Sequence, residues 1–474
     1  LKLTPRVRVR PFRSFLLTLD LSAGVCRLHP HAMFAWLQGL LPLVVAFAAV
    51  SSEVLLLVVA SDSVDLCSVG EDLCSISSFS GFIPVVGKGS LFYWYFQGTG
   101  YAATSSGIAG APLVLWLQGG PGAASMLGCM FEIGPVRLDE GGRLRRRPAS
   151  ETWASRGPLL FADSPLGTGW SFASGDAGYA RSQEDVARDL AEFLEGFARL
   201  HPTAPTRLVL AGESYGGHFI PALAAWLLDH PGHFIIEAVA IGDGLTDPAT
   251  QVLTKPQEAF AFGLLDEKQL SEAQQYAEAS HDLAVSGDFL HAKEKRMQLE
   301  DFVTNASKIN PYDVRTTETY EWMDLRLQQF FGQNSTKDML HIPRHLSFGT
   351  SSRVAECLAE DVMRSQKSHV DKILRFGVRV LLYQGQFDWK DGVVSNEAWV
   401  RTLEWPGIQG FLSAERVVWR RSTDGQIAGY WRHWQNLEQV VVLAAGHMVP
   451  MNQPLSAVDM LARFLSSQEA AIIA

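Results

Sequence analysis

Apolar residues fall into short unbroken runs separated by longer stretches with a helical period. The runs cover 91–97, 112–117, 159–162, 207–211, 238–241, 378–383, 414–420 and 439–443. Several are apolar throughout, the mark of strands covered on both faces. Between them, 183–200 sets Val186, Leu190, Phe193, Leu194 and Phe197 on one stripe, which predicts an amphipathic helix stopped by Pro202. A second helix is predicted over 215–228, directly after a strand. Such alternation predicts an α/β fold, with a central, mostly parallel sheet flanked by helices.

The pattern changes over 249–370. Strand signals vanish, Gln, Glu, Lys, Ala and Leu dominate, and 267–276 and 287–303 read as helices. This predicts a helical insertion, of the kind that forms a cap over a site. The core then has two parts, 61–248 and 371–474. The run Arg143-Leu144-Arg145-Arg146-Arg147 reads as a solvated loop.

The N-terminus stands apart. Residues 1–32 carry six basic side chains against Asp20, and an apolar run follows from Met33 to Ala60. The run is long enough for a membrane span. Ser51-Ser52-Glu53 interrupts it, however, and Val58-Val59-Ala60 offers small residues for cleavage before Ser61. Residues 1–60 are therefore expected to be an extension plus a secretory signal, leaving no membrane anchor once removed. Two glycosylation triplets begin at Asn305 and Asn334. Each is weak alone, but with the signal they favour the secretory route, to the cell exterior or a vacuole or lysosome.

Composition narrows the classes. Hydrophobic residues make up 47% of the 474, which excludes disorder. The net charge of −10 excludes a phosphate-seeking nucleic-acid binder. Six of the 40 basic residues and two of the 50 acidic ones lie in 1–60, so the body is more acidic than the whole. Beyond Cys26 there remain Cys67, Cys74, Cys129 and Cys357, without zinc-ligand spacing. Cys67 with Cys74 is the natural local pair. Other connectivities and free buried thiols remain open.

The most informative stretch is 208–221. An apolar strand runs into Gly212-Glu213-Ser214-Tyr215-Gly216, then into a helix. G-x-S-x-G alone more often marks an ordinary turn. Between a strand and a helix it predicts a nucleophile, since the tight turn lifts the Ser214 hydroxyl above the sheet edge. A serine nucleophile needs a base and a group to orient it. Asp388 follows the strand at 378–383, and His447 follows the strand at 439–443. Both fall past carboxyl ends of strands, where open α/β sheets place ligands. Asp391 is a rival acid, and His218 and His433 are rival bases. Upstream, Gln118-Gly119-Gly120-Pro121-Gly122 follows the strand at 112–117 and can present backbone N–H groups to an oxyanion. The Tyr215 N–H would be a second donor. A phosphate loop is excluded, because no Lys follows the glycines.

Together these residues resemble the serine carboxypeptidases, with their α/β-hydrolase fold. The likeness rests on 116–122 (WLQGGPG), 131–135 (FEIGP), 161–172 (FADSPLGTGWSF), 212–221 (GESYGGHFIP), 240–248 (AIGDGLTDP), 383–388 (YQGQFD) and 445–450 (AGHMVP), covering roughly residues 80–465. Segments 261–269 and 391–407 resemble the plant serine carboxypeptidase-like branch, near the vitellogenic-like carboxypeptidases of animals. The resemblance implies a Ser214, Asp388, His447 triad and an oxyanion hole from Gly120 and Tyr215. It also implies that Glu132 and Glu213 bind the substrate's terminal carboxylate, with Gln118 and Gly119 in the same network. Gln118 stands where many members have Asn. Ala123-Ala124 removes a common disulfide partner and a hydroxyl, and Gly216 stands for a common Ala. The family's usual set of disulfides cannot form from four cysteines.

An acidic pair can bind a carboxylate only by sharing protons, so an acidic optimum is expected. The substrate partners implied are peptide or protein C-termini; no cofactor and no metal are implied, and a homodimer is left open. Two other readings compete. An acyltransferase would use the same triad on sugar esters, but many of those carry Asp before the serine, where Glu213 stands here. A catalytically silent secreted protein would not need a complete triad.

Overall fold

The computed structural model describes residues 44–46, 57–59, 62–98 and 110–470. The chain divides into Leu1–Val44 and Val45–Ala474, and the large sheet lies wholly in the second unit. The extension and signal read over 1–60 lie outside the described residues, apart from two three-residue strands, Val44–Ala46 and Leu57–Val59. No helix among the described residues is long and apolar enough to cross a membrane.

A twelve-stranded sheet organises the fold. Its centre is six parallel strands in the order Leu437–Val442, Arg379–Gly385, Ile235–Gly242, Arg207–Glu213, Leu113–Leu117 and Leu159–Ala162. Antiparallel strands extend both edges: Val417–Arg420 and Ile427–Trp434 on one side, Gly89–Phe96, Ser78–Val85 and Asp62–Ser63 on the other, with the short Phe172–Ala173 also paired to Gly89–Phe96. Alternation along the buried strands separates two cores. Leu113, Leu115, Leu117, Leu208 and Leu210 join one, and Val114, Trp116, Val209 and Ala211 join the other. This is why the central strands are apolar at every position rather than at every second one.

Two long strands, with the two-residue Asp62–Ser63 and Phe172–Ala173, escaped the hydrophobic pattern. Ser78–Val85 contains Gly81 and Pro84, which read as breaks. Ile427–Trp434 mixes exposed and buried positions around Arg432 and His433. The run at 414–420 loses its first residues because the Ile408–Ser413 helix reaches to Ala414 as its cap.

Between Ile235–Gly242 and Arg379–Gly385 the chain forms eight helices and no strand of the sheet among the described residues. The two longest, Glu267–Val285 and Phe289–Ser307, pack side by side. A capping box starts the first: the Asp266 carboxylate accepts from Gln269 N–H, and the Gln269 side chain accepts from Asp266 N–H. Their shared core includes Val252, Ala259, Leu299, Val303 and Trp389. Trp389 belongs to the sheet domain's sequence but is buried among the insertion's side chains.

The arginine run is not a simple solvated loop. Leu144–Arg146 pairs with Val136–Leu138 as a hairpin, and Arg147 is buried. Its guanidinium donates to Gly134 O at 2.9 Å and to Met130 O at 2.7 Å. The wide turn Gly128–Glu132, closed by Ile133 N–H on Gly128 O, leaves nearby carbonyls for a cation to satisfy. Cys67 and Cys74 are joined in a disulfide. Cys129 and Cys357 are free and buried.

Candidate active site

Ser214 sits between the Arg207–Glu213 strand and the Gly216–Asp229 helix, with φ +60. A left-handed conformation is costly for a non-glycine residue and is held only by close packing. Here Ser214 N–H donates to Gly242 O at 3.0 Å, and Ser214 O accepts from Gly217 N–H at 2.9 Å and Leu245 N–H at 3.0 Å. A Cβ at Gly217 would come within 2.8 Å of Leu245 N, so glycine is required for this approach. Ser214 is half-buried while its neighbours on both sides are buried. The Tyr215 N–H lies at the start of the following helix, where amides lack intrahelical acceptors.

Parallel strands bring Asp388 and His447 to the same sheet edge. Asp388 follows Arg379–Gly385 and His447 follows Leu437–Val442. His447 Nδ1 meets Asp388 Oδ2 at 2.8 Å, and both residues are buried. Asp388 also accepts from Lys390 N–H at 2.7 Å on Oδ1 and from Asp391 N–H at 3.1 Å on Oδ2. These amides hold the carboxylate that meets His447. The rivals are placed elsewhere. Asp391 pairs with Arg296 at 3.2 Å. His218 Nδ1 meets Leu245 O at 2.6 Å and its ring stacks on Tyr215. His433 is exposed, with Nε2 on Gln435 O.

The glycine-rich loop lies against the serine turn. A Cβ on Gly119 would fall 2.5 Å from Tyr215 N, 2.7 Å from Glu213 O and 2.8 Å from Ser214 Cβ. Gly120 follows at φ +111. Gln118 Nε2 donates to Glu213 Oε1 at 3.1 Å, while its Oε1 accepts from Trp116 Nε1 at 2.9 Å. That second bond orients the amide. Glu132 and Glu213 are both buried. Burial pushes both carboxyls above their ordinary range, and for Glu213 the neighbouring Glu132 adds to the push. The structure thus gathers Gln118, Gly119, Glu132 and Glu213 beside Ser214. Asn305 and Asn334 lie apart on the helical insertion, both exposed.

Among the described residues, Asp243, Asp388 and His447 are the group close enough to surround an ion, with donor atoms within 4.8 Å of one another. Asp243 Oδ1 accepts from Gly385 N–H at 2.9 Å, and both Asp388 oxygens accept from backbone N–H groups.

Sequence reasoning missed several residues in contact with this site. Asp243, at φ +42 after the Ile235–Gly242 strand, is buried beside Asp388, and burial with that charge pushes its carboxyl well up. Its position after a parallel strand was the available signal. Tyr312 O accepts from His447 N–H at 2.7 Å, with the two rings 5.0 Å apart. Asp361 Oδ2 accepts from the Tyr215 hydroxyl at 2.7 Å and from Gln183 Nε2 at 2.6 Å. Neither contact leaves a trace in the sequence, because each joins segments remote along the chain.

The family model described as serine carboxypeptidase matches residues 70–467. Serine carboxypeptidase-like 50 of Arabidopsis thaliana is 35% identical over 389 residues, covering 81% of this chain and 86% of that protein. Vitellogenic carboxypeptidase of Aedes aegypti is 30% identical, covering 83% of this chain and 84% of that protein. Among solved structures, the prohormone-processing carboxypeptidase Kex1(Δ)p of Saccharomyces cerevisiae superposes with a TM-score of 0.74 at 24% identity. That superposition covers 86% of this chain and 95% of the yeast one, and it shows the shared α/β-hydrolase fold.

Proposed function

The chain belongs to the serine carboxypeptidase family of hydrolases, and from that premise we propose that it releases C-terminal residues from peptides through an acyl-enzyme on Ser214. His447 takes the Ser214 proton as the hydroxyl attacks the last peptide carbonyl. Asp388 orients the imidazole and stabilises its charged form. The N–H groups of Gly120 and Tyr215 receive the oxyanion. The C–N bond then breaks, the leaving amino acid takes the proton from His447, and water attacks the acyl ester by the same route in reverse.

The observation that carries this reading is the buried Glu132–Glu213 pair with Gln118 beside the serine turn. An esterase or lipase has no need of two carboxyls there. Burial makes both carboxyls harder to ionise, which supports a pair that shares a proton and donates to a substrate carboxylate, and hence an acidic working range. Residues 249–370 are read as a cap, with 61–248 and 371–474 forming the core. Exposure of Asn305 and Asn334 supports glycosylation on a secretory route to the exterior or a vacuole or lysosome.

The test is digestion of a peptide library by purified protein and by Ser214→Ala at pH 5. Stepwise loss of C-terminal residues by the wild type, lowered by about 10⁴ or more in the variant, is expected. Cleavage inside chains, or transfer of acyl groups from a glucose ester to an alcohol without peptide cleavage, would overturn it.

A further inference from the structure

The acid and base sit on the sheet domain, yet the insertion holds both. Pro311 O accepts from Trp389 N–H at 3.2 Å, Val314 N–H donates to Phe387 O at 3.1 Å, and Tyr312 O accepts from His447 N–H at 2.7 Å. These three residues directly follow the Phe289–Ser307 helix and its cap. Trp389 Nε1 donates to Lys255 O at 3.0 Å, and Lys255 Nζ lies 4.7 Å over the Trp389 ring.

A buried charge cluster links the same segments. Glu300, on the Phe289–Ser307 helix, meets Lys390 at 2.6 Å, Arg296 at 3.1 Å and Lys255 at 3.5 Å. Arg296 also meets Asp391 at 3.2 Å, and Lys255 donates to Lys390 O. Lys390 and Asp391 are the two residues whose N–H groups bind Asp388. Although burial pushes the Glu300 carboxyl up, the three cations hold it well below the usual range. Such a cluster tolerates loss of one member badly, because the remaining charges stay buried without compensation.

We propose that the helical insertion clamps the acid and base of the triad, and that Glu300 is the positioning residue at the centre of the clamp. Glu300 does not touch substrate. It fixes Lys390, Lys255 and Arg296, and through them the two amides that aim Asp388 at His447. Without its charge, the freed cations compete with His447 for Asp388. The inference rests on the proposed triad.

The experiment measures kcat and KM on a blocked dipeptide, together with the rate of Ser214 labelling by a fluorophosphonate. The proteins are wild type, Glu300→Gln, Glu300→Asp and Lys390→Gln, each checked for folding by circular dichroism. Glu300→Gln is expected to lower kcat and labelling at least tenfold with KM within twofold, and Glu300→Asp to recover part of the loss. Lys390 is about one-fifth exposed, so Lys390→Gln tests the clamp if Glu300→Gln fails to fold; a loss of at least threefold in kcat is expected. Wild-type kcat in folded Glu300→Gln or, failing that, in Lys390→Gln overturns the clamp. Rising KM with kcat unchanged does the same. If the wild type itself neither cleaves nor labels at Ser214, the proposed function fails instead.

Discussion

Gln118 Nε2 donates to Glu213 Oε1 across 3.1 Å, tying the glycine-rich loop to the residue that precedes Ser214. The other Glu213 oxygen and both oxygens of Glu132 are buried without a well-formed hydrogen bond inside the protein. Buried polar atoms of this kind ask for a partner. A proton and a substrate carboxylate together would supply one.

This relationship sets the expected response to pH. Both carboxyls are pushed up, so the pair keeps a proton at pH values where free carboxyls are ionised. As pH rises the proton is lost, two negative charges face the substrate carboxylate, and KM climbs. Glu213→Gln supplies a donor that never ionises. It is expected to stay within a few-fold of wild type at pH 5 and to lose about tenfold less kcat/KM between pH 5 and 8. An equally steep alkaline fall in both proteins, read from pH profiles on a blocked dipeptide, would remove the acidic pair from substrate binding.

Gly119→Ala tests the contact between loop and nucleophile turn. The added Cβ would meet Tyr215 N at 2.5 Å and Ser214 Cβ at 2.8 Å, both in a crowded turn with no slack. The expected outcome is a fall in kcat of roughly 10²–10³, the scale of a damaged oxyanion hole. Thermal melting should drop by an amount equivalent to about 1–3 kcal/mol. Unchanged kcat in a folded variant would place the oxyanion elsewhere.

Stability should also depend on pH through Glu258. Burial, then the charge of Asp388, pushes its carboxyl up to about 8. In the unfolded chain it would ionise near an ordinary Glu value, about 4.3. The folded state therefore holds a proton that the unfolded state has lost, and stability falls as pH rises between these values. Glu258→Gln removes that dependence. It is expected to be more stable than wild type at pH 8 by roughly 1–4 kcal/mol, and no more stable at pH 4. Denaturant melts at the two pH values measure this; a gain of equal size at both would assign the effect to packing.

Much of the core was legible because a doubly covered parallel strand must be apolar at every position. Leu113–Leu117 and Leu159–Ala162 announce themselves that way. Ser78–Val85 and Ile427–Trp434 did not, because flanking strands near a sheet margin tolerate Pro, Gly and charge. Arg147 illustrates a different limit. A basic run is usually solvated, and only the carbonyls of Met130 and Gly134, left over by a wide turn, drew one of its members inward.

Local order along the chain determined where chemistry could occur. A serine between strand and helix, an acid and a histidine each just past a strand, and glycines after another strand follow from rules that act over a few residues. Tertiary structure decided the rest. It set Asp388 beside His447 and Asp391 beside Arg296. It also brought Asp243 beside Asp388, Tyr312 beside His447 and Glu300 beside Lys390 from remote segments. The physical reason is range: backbone propensity and periodicity are local, whereas hydrogen bonds and buried ion pairs depend on which distant segments the sheet order makes neighbours.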